Sequence, residues 1–108
     1  MTMAAKMLLG GNGYAHEVLT VADSAKAMTA ATYNPANTDQ SRIRAFVTAE
    51  AGFMRYRYDG GDPTTTSGHL IGIGDALIIE GVLNIEKFRA IRVGDKSGTL
   101  RVTYERFE

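Results

Sequence analysis

The sequence predicts an all-β domain: an antiparallel β-sandwich or jelly-roll-like barrel of six to eight strands. Two observations carry this. Short segments of alternating apolar and polar residues recur about every eight to twelve residues, with turn-forming residues between them. No stretch sustains the i, i+3, i+4 apolar spacing of a long amphipathic helix.

Tyr14 to Ala22 is the first strand candidate, with Val18 and Thr20 on one face and Leu19 and Val21 on the other. Ala25 to Ala31 has the composition of a helical turn, but Thr29, Thr32, Tyr33 and the Asn34–Pro35 pair favour an extended lead into a loop. Residues 34–41, NPANTDQS, are that loop. Arg42 to Glu50 alternates again, setting Ile43, Ala45, Val47 and Ala49 against Arg42, Arg44, Thr48 and Glu50, with Phe46 as the exception. Gly52 allows a turn into Phe53 to Tyr58, where Met54, Tyr56 and Tyr58 oppose Arg55 and Arg57, so these two segments are expected to form a hairpin.

Residues 55–68, RYRYDGGDPTTTSG, read as a second hairpin: a strand entering a turn built from Asp59, Gly60, Gly61, Asp62 and Pro63. Ala76 to Glu80 is a short apolar run after Gly72 and Gly74, the pattern of a strand buried on both faces. Asn84 to Lys87 can form one helical turn. Phe88 to Val93 and Thr99 to Phe107 complete the strands, the last with Leu100, Val102 and Tyr104 alternating against Thr99, Arg101, Thr103 and Glu105. The expected core is Val18, Val21, Ile43, Val47, Met54, Tyr56, Leu77, Ile79, Phe88, Ile91, Leu100, Val102 and Tyr104.

The 108 residues suffice for one domain, expected over residues 14–108, behind an N-terminal arm over residues 1–13. The arm carries Met3, Met7, Leu8 and Leu9 and ends in Gly10, Gly11, Asn12 and Gly13. It is either a frayed terminus or a segment that docks on a neighbouring subunit, and those four apolar residues are the candidate partner contacts. Its apolar patch is too short for a signal-peptide core or a membrane span, so synthesis in a cytoplasm and no membrane association are expected. Twelve basic residues balance twelve acidic ones. A dedicated nucleic-acid binder needs an excess of cations, so none is expected. Zero net charge also removes the self-repulsion that keeps copies apart, which favours a homo-oligomer.

Catalytic patterns are missing. There is no cysteine, and His16 and His69 form no ligand-spaced pair. Asp59 and Asp62 have the spacing of a calcium loop without its remaining ligands; with Asp75 they are expected to fix turns through their own backbone. None of Ser24, Ser41, Ser67 and Ser97 sits in a Gly-x-Ser-x-Gly elbow. The glycine pairs at 10–11 and 60–61 precede neither a Lys-Ser/Thr step nor a helix. The Arg/Tyr alternation of residues 55–58 has the residue types of a base-stacking platform, but also those of a half-buried strand with tyrosines inward. Arg89, Arg92, Arg101 and Arg106 lie near Glu86, Glu105 and Glu108, which suggests ladder ion pairs in place of a basic patch. No enzyme activity and no cofactor are expected.

From Arg42 onward the chain reads AFVTAEAGFMRYRYDGGDPTTTSGHLIGIGDALIIEG and then NIEKFRAIRVGDKSGTLRVTYER, preceded by AKAMTAATYNPAN. This resembles a group of small bacteriophage proteins encoded among virion structural genes. That group shows an IRFRYDGT-PT-GH element, an AGD-L-L strand, a FRAIR strand and a terminal TL-V-Y, and the likeness runs over roughly residues 18–106. The resemblance implies a non-enzymatic virion protein, a capsid decoration or cement protein that binds the major capsid protein or other virion proteins as an oligomer. A tail, neck or fibre component, or a host-surface glycan-binding module, is the alternative. The YDGGDPTTTSG turn is also similar to the YT-DGSDPT turn of fibronectin-type-III-like accessory domains in carbohydrate-active enzymes, although here it reads Gly-Gly-Asp. Both likenesses imply a β-sandwich.

Overall fold

The computed structural model describes residues 12–34 and 42–106. Among the described residues, eight strands and two short helices follow in the order β1 (Asn12–Val21), β2 (Lys26–Ala27), α1 (Ala30–Tyr33), β3 (Ile43–Ala51), β4 (Met54–Arg57), β5 (His69–Ile71), β6 (Ala76–Glu80), α2 (Val82–Lys87), β7 (Arg89–Arg92) and β8 (Gly98–Arg106). The strands form two antiparallel four-stranded sheets, β1-β8-β3-β6 (sheet A) and β2-β7-β4-β5 (sheet B).

The pairing has a simple origin. Fold the chain in two at the loop between β4 and β5, and the two halves make one long ribbon whose rungs are β4·β5, β3·β6, β2·β7 and β1·β8. All four pairings are present and antiparallel. Rolling that ribbon adds β3·β8 and β4·β7, which complete the two sheets. This is a jelly roll, within the predicted class. Consecutive strands therefore alternate between sheets, and only β4 to β5 is a hairpin. The expected hairpin at 55–68 is present, with Met54, Arg55 and Tyr56 facing Ile71, Leu70 and His69.

The expected β3–β4 hairpin is absent. At Gly52 the chain crosses from sheet A to sheet B. Gly52 has φ 72°, and a Cβ there would sit 3.0 Å from the Gly98 Cα and 3.1 Å from the Ser97 carbonyl oxygen. The glycine does permit a bend, but one that passes hard against the start of β8. Two further crossings enclose the core. The Gly72–Asp75 turn returns the chain to sheet A and is bonded to β3 through Ala49 N–H to the Asp75 carbonyl and Gly74 N–H to the Ala49 carbonyl, both 3.0 Å. Helix α2 carries it back to sheet B, with Ile85 and the following Phe88 fully buried in the core. This helix extends the single turn expected at 84–87 by two residues.

The core lies between the sheets: Leu19 and Val21 from β1, Ile43, Ala45, Val47 and Ala49 from β3, and Leu100, Val102 and Tyr104 from β8, against Met54, Ile71, Phe88 and Ala90 from the sheet B side. Several assignments change. Val18 is 46% exposed, because residues 18 and 21 cannot share one face of a strand; Leu19 takes the inward place opposite Leu100. Ile91 is half-buried on the outer face of sheet B beside Arg55, and Ala90 is the inward residue. Tyr56 and Leu77 are partly buried against the core. Strand β6 is an edge strand buried on one side only: Ile79 points inward, while Ile78 and Glu80 are exposed. Strand β1 starts at Asn12, so two residues assigned to the arm are paired with β8.

Residues 30–33, within the segment expected to be extended, form α1, with Thr29 as its N-cap. Its N-terminus is held by Glu17 of β1, whose carboxylate accepts from Thr29 N–H at 3.0 Å and Thr29 Oγ1 at 2.7 Å. The same carboxylate accepts from the Tyr104 hydroxyl. Burial, reinforced by the Glu17 charge, pushes the Tyr104 phenol far up, so it stays a donor. Tyr14 Oη donates to the Tyr33 carbonyl at 2.6 Å. On the outward side of sheet A, Arg44 Nε donates to Glu105 Oε1 at 2.8 Å, with both side chains 2% exposed. The alternation in β3 predicts that outward face correctly but not its burial.

Candidate functional site

The features the sequence marks most strongly converge at the β4–β5 end of sheet B. Tyr58 to Gly68 link the two strands, and the loop is organised by arginines from β4. Arg57 donates to Asp59 through Nε at 3.0 Å and Nη2 at 2.7 Å, and to the Asp62 carbonyl through Nη1 at 3.3 Å. Its guanidinium lies against Gly61, where a Cβ would come within 2.5 Å of Nη2. Asp59 Oδ1 also accepts from Gly61 N–H at 3.2 Å. From the same strand face, Arg55 reaches the Thr65 carbonyl at 3.1 Å and the Gly68 carbonyl at 2.9 Å. Asp59 thus fixes its own turn, and Asp75 does the same by accepting from Gly72 N–H at 2.8 Å. Asp62 contributes its carbonyl.

The Arg57 hydrogen bonds, with that of Gly61 N–H, hold the Asp59 carboxyl down at about 2. A depressed acid supports the folded loop above its ordinary value of 3.8 and loses that support as pH falls through about 2. The loop is therefore expected to keep this arrangement at pH 4 and release it only in strong acid; an Asp59 carboxyl resonance titrating at its ordinary value would contradict the bidentate contact.

The tyrosines form a ridge. Tyr56 stacks on Phe88 at 5.7 Å and meets the His69 ring at 5.3 Å, and Tyr58 lies 6.5 Å from Tyr56 at an interplanar angle of 22°. Tyr56 faces inward, as the alternation predicts, while Tyr58 is exposed and stands between two open concavities. One, of about 540 Å³, is lined by Arg57, Tyr58, Asp59, Ser67, Gly68 and His69. The other, of about 260 Å³, includes Tyr58, Ile78, Glu80 and Asn84.

The outer face of sheet B carries a different surface. The register sets Leu70, Arg55 and Ile91 side by side, and Val93 N–H donates to the Phe53 carbonyl at 2.9 Å, which continues the face by one row. Phe53 lies over Gly72, where a Cβ would meet its ring at 2.7 Å. Phe53 and Leu70 are 60% and 56% exposed, and Ile73, at the adjoining turn, is 70% exposed. A groove of about 530 Å³ runs between Phe53, Leu70 and Val93, with Asp95 and Lys96 on its rim. The period of two places Phe53 on the Arg55 side of β4, the one signal in the sequence for this patch.

The remaining candidates are dispersed. His16 lies on the outer face of sheet A, 3.3 Å from Thr103 Oγ1, and His69 lies in sheet B. Among the described residues no three His, Asp or Glu side chains gather as a metal site, and no helix is long and apolar enough to cross a membrane. Arg101 pairs with Glu50 at 2.7 Å, and Arg89 donates to the Glu86 and Phe88 carbonyls. Met3, Met7, Leu8 and Leu9 lie outside the described residues. No family model, curated protein or solved structure matches the chain.

Proposed function

We propose that this chain is a non-enzymatic bacteriophage virion protein, a capsid decoration or cement protein that binds the coat lattice as an oligomer. The observation that carries the reading is the outer face of sheet B, where Phe53 and Leu70 stand in water while the nearby charged groups, Arg55, Arg57 and Asp59, are occupied in holding a loop. That distribution suits burial against another protein better than chemistry on a small molecule. The ordered likeness to small phage proteins points the same way. The jelly roll, an architecture shared by viral capsid and lectin domains, agrees by analogy of fold alone. Modest contacts suffice for such a role, because many copies bridging one lattice add their affinities. Quantitative mass spectrometry of purified virions is expected to find the protein in hundreds of copies per particle; its absence would overturn the reading.

The exposed Tyr58 ridge favours a second reading, a glycan-binding module in a tail or fibre, since sugars pack on exposed aromatic faces. A dozen or fewer copies per particle, with adsorption lost in Tyr58→Ala, would select it.

A further inference from the structure

Hydrogen-bonding groups around the β4–β5 end of sheet B fall into two sets. Arg55, Arg57 and Asp59 are committed to holding the loop. The hydroxyls of Tyr58 and Ser67, the His69 ring nitrogens and the Glu80 carboxylate make no hydrogen bond among the described residues. Asn84 is tied through Nδ2 to the Glu80 carbonyl at 2.9 Å, which fixes its amide and leaves Oδ1 as an acceptor. The second set lies on the two sides of one exposed ring. Ser67 and His69 border the larger concavity, Glu80 and Asn84 border the smaller, and Tyr58 borders both. The jelly roll explains the location. Tyr56 and His69 are cross-strand partners on β4 and β5, and the smaller concavity is lined by Tyr56 from sheet B and by Leu77 to Glu80 of β6, the edge of sheet A. It is a mouth between the two sheets, a common place for a ligand in a β-fold.

We propose that these two concavities form one binding site for a neutral oligosaccharide that crosses the Tyr58 ring, with one sugar unit against Ser67 and His69 and another against Asn84 and Glu80. Three properties select this ligand. An aromatic ring with open space beside it offers a flat apolar surface, which matches the C–H face of a pyranose. The uncommitted groups include hydroxyls, an imidazole, an amide oxygen and a carboxylate; sugar hydroxyls, each both donor and acceptor, can pair with all of them, whereas an apolar side chain would leave them unpaired. Charge selects a neutral chain. Asp59 stands in one concavity and Glu80 in the other, while both nearby guanidiniums are held by the loop, so an anionic polymer meets a carboxylate on each side without a free cation to offset it. The proposal rests on the glycan-binding reading of the Tyr58 ridge and names the ligand class and the polar contacts; it holds for a capsid or a tail position alike.

The test is titration of the isotope-labelled full chain, followed by NMR, with neutral di- and tetrasaccharides of glucose, mannose, galactose and N-acetylglucosamine, and with oligogalacturonate as the acidic probe. At least one neutral tetrasaccharide is expected to bind at millimolar concentration or below and to shift the resonances of Tyr58, His69 and Asn84 together. It should bind about tenfold or more tightly than its disaccharide, because only the longer chain reaches both concavities. Tyr58, Ser67 and Asn84 are exposed, so their substitution leaves the core intact. Tyr58→Ala is expected to abolish binding, Tyr58→Phe to retain it within a few fold, and Ser67→Ala and Asn84→Ala each to weaken it, with circular dichroism unchanged. A neutral sugar that shifts only one side, or binds equally well as di- and tetrasaccharide, would overturn the two-sided site and leave the glycan-binding reading standing. Tighter binding of oligogalacturonate would overturn the neutral class. No shift with any of these probes would overturn the site and the glycan-binding reading with it.

Discussion

Phe88→Ala is expected to remove about 3–5 kcal/mol of folding stability. Phe88 is fully buried, stacks on Tyr56 and follows α2 at the point where the chain passes from sheet A to sheet B. Deleting its ring opens a cavity bordered by two sheets and a helix, none of which can close it alone. A domain of this length has on the order of 5–15 kcal/mol in total. The variant should therefore unfold at a urea midpoint lower by more than about 1 M, given slopes of about 1–3 kcal/mol per M. A midpoint that does not move would mean Phe88 lies outside the cooperative core.

Gly52→Val should be the second most damaging change. A φ of 72° places a β-branched residue in a conformation that costs about 1–3 kcal/mol. The new Cβ would also press on the Gly98 Cα at 3.0 Å, and both neighbours it meets there are backbone. Gly98 cannot retreat, since a Cβ at its own position would already meet the Met54 sulfur, which fills that side. Gly60→Val is the matched control, with φ 95° and nothing within 4 Å of the added Cβ. Thermal melts should show a much larger loss for Gly52→Val than for Gly60→Val; equal losses would leave backbone conformation as the whole effect and remove the role assigned to the crossing.

These two positions also show what the sequence could and could not convey. Alternation in β3 and β8 is decisive because both strands lie inside sheet A with one face on the core, so Ile43, Ala45, Val47 and Ala49, and Leu100, Val102 and Tyr104, all point inward. In β6 the run Ala76 to Glu80 suggested burial on both faces, but an edge strand can leave Ile78 in water. Gly52 marked a change of direction without revealing whether the chain turns back within a sheet or leaves it, because that depends on what β8 places opposite. Segment 30–33 is too short to hold a helix by itself, and its N-cap Thr29 is fixed by Glu17, a residue from another strand that no local pattern connects to it. Of the surfaces, the Arg57–Asp59 turn was legible because its parts are adjacent in sequence. The face made by Phe53, Leu70, Ile91 and Val93 was not, because three strands contribute to it.

The folded ribbon also sets a timetable for folding. The β4–β5 rung closes the shortest loop, and each later rung joins segments farther apart in the chain, ending with β1 against β8. Because each doubling of loop length costs only about 0.6 kcal/mol more, closure from the hairpin outward is the cheapest route to so non-local a structure. On the ribosome, β1 and β3 must wait for β8, which lies between them in sheet A, and their apolar faces stay without that neighbour until it is made. The loop that Arg57 and Asp59 hold in place is thus where assembly is expected to begin.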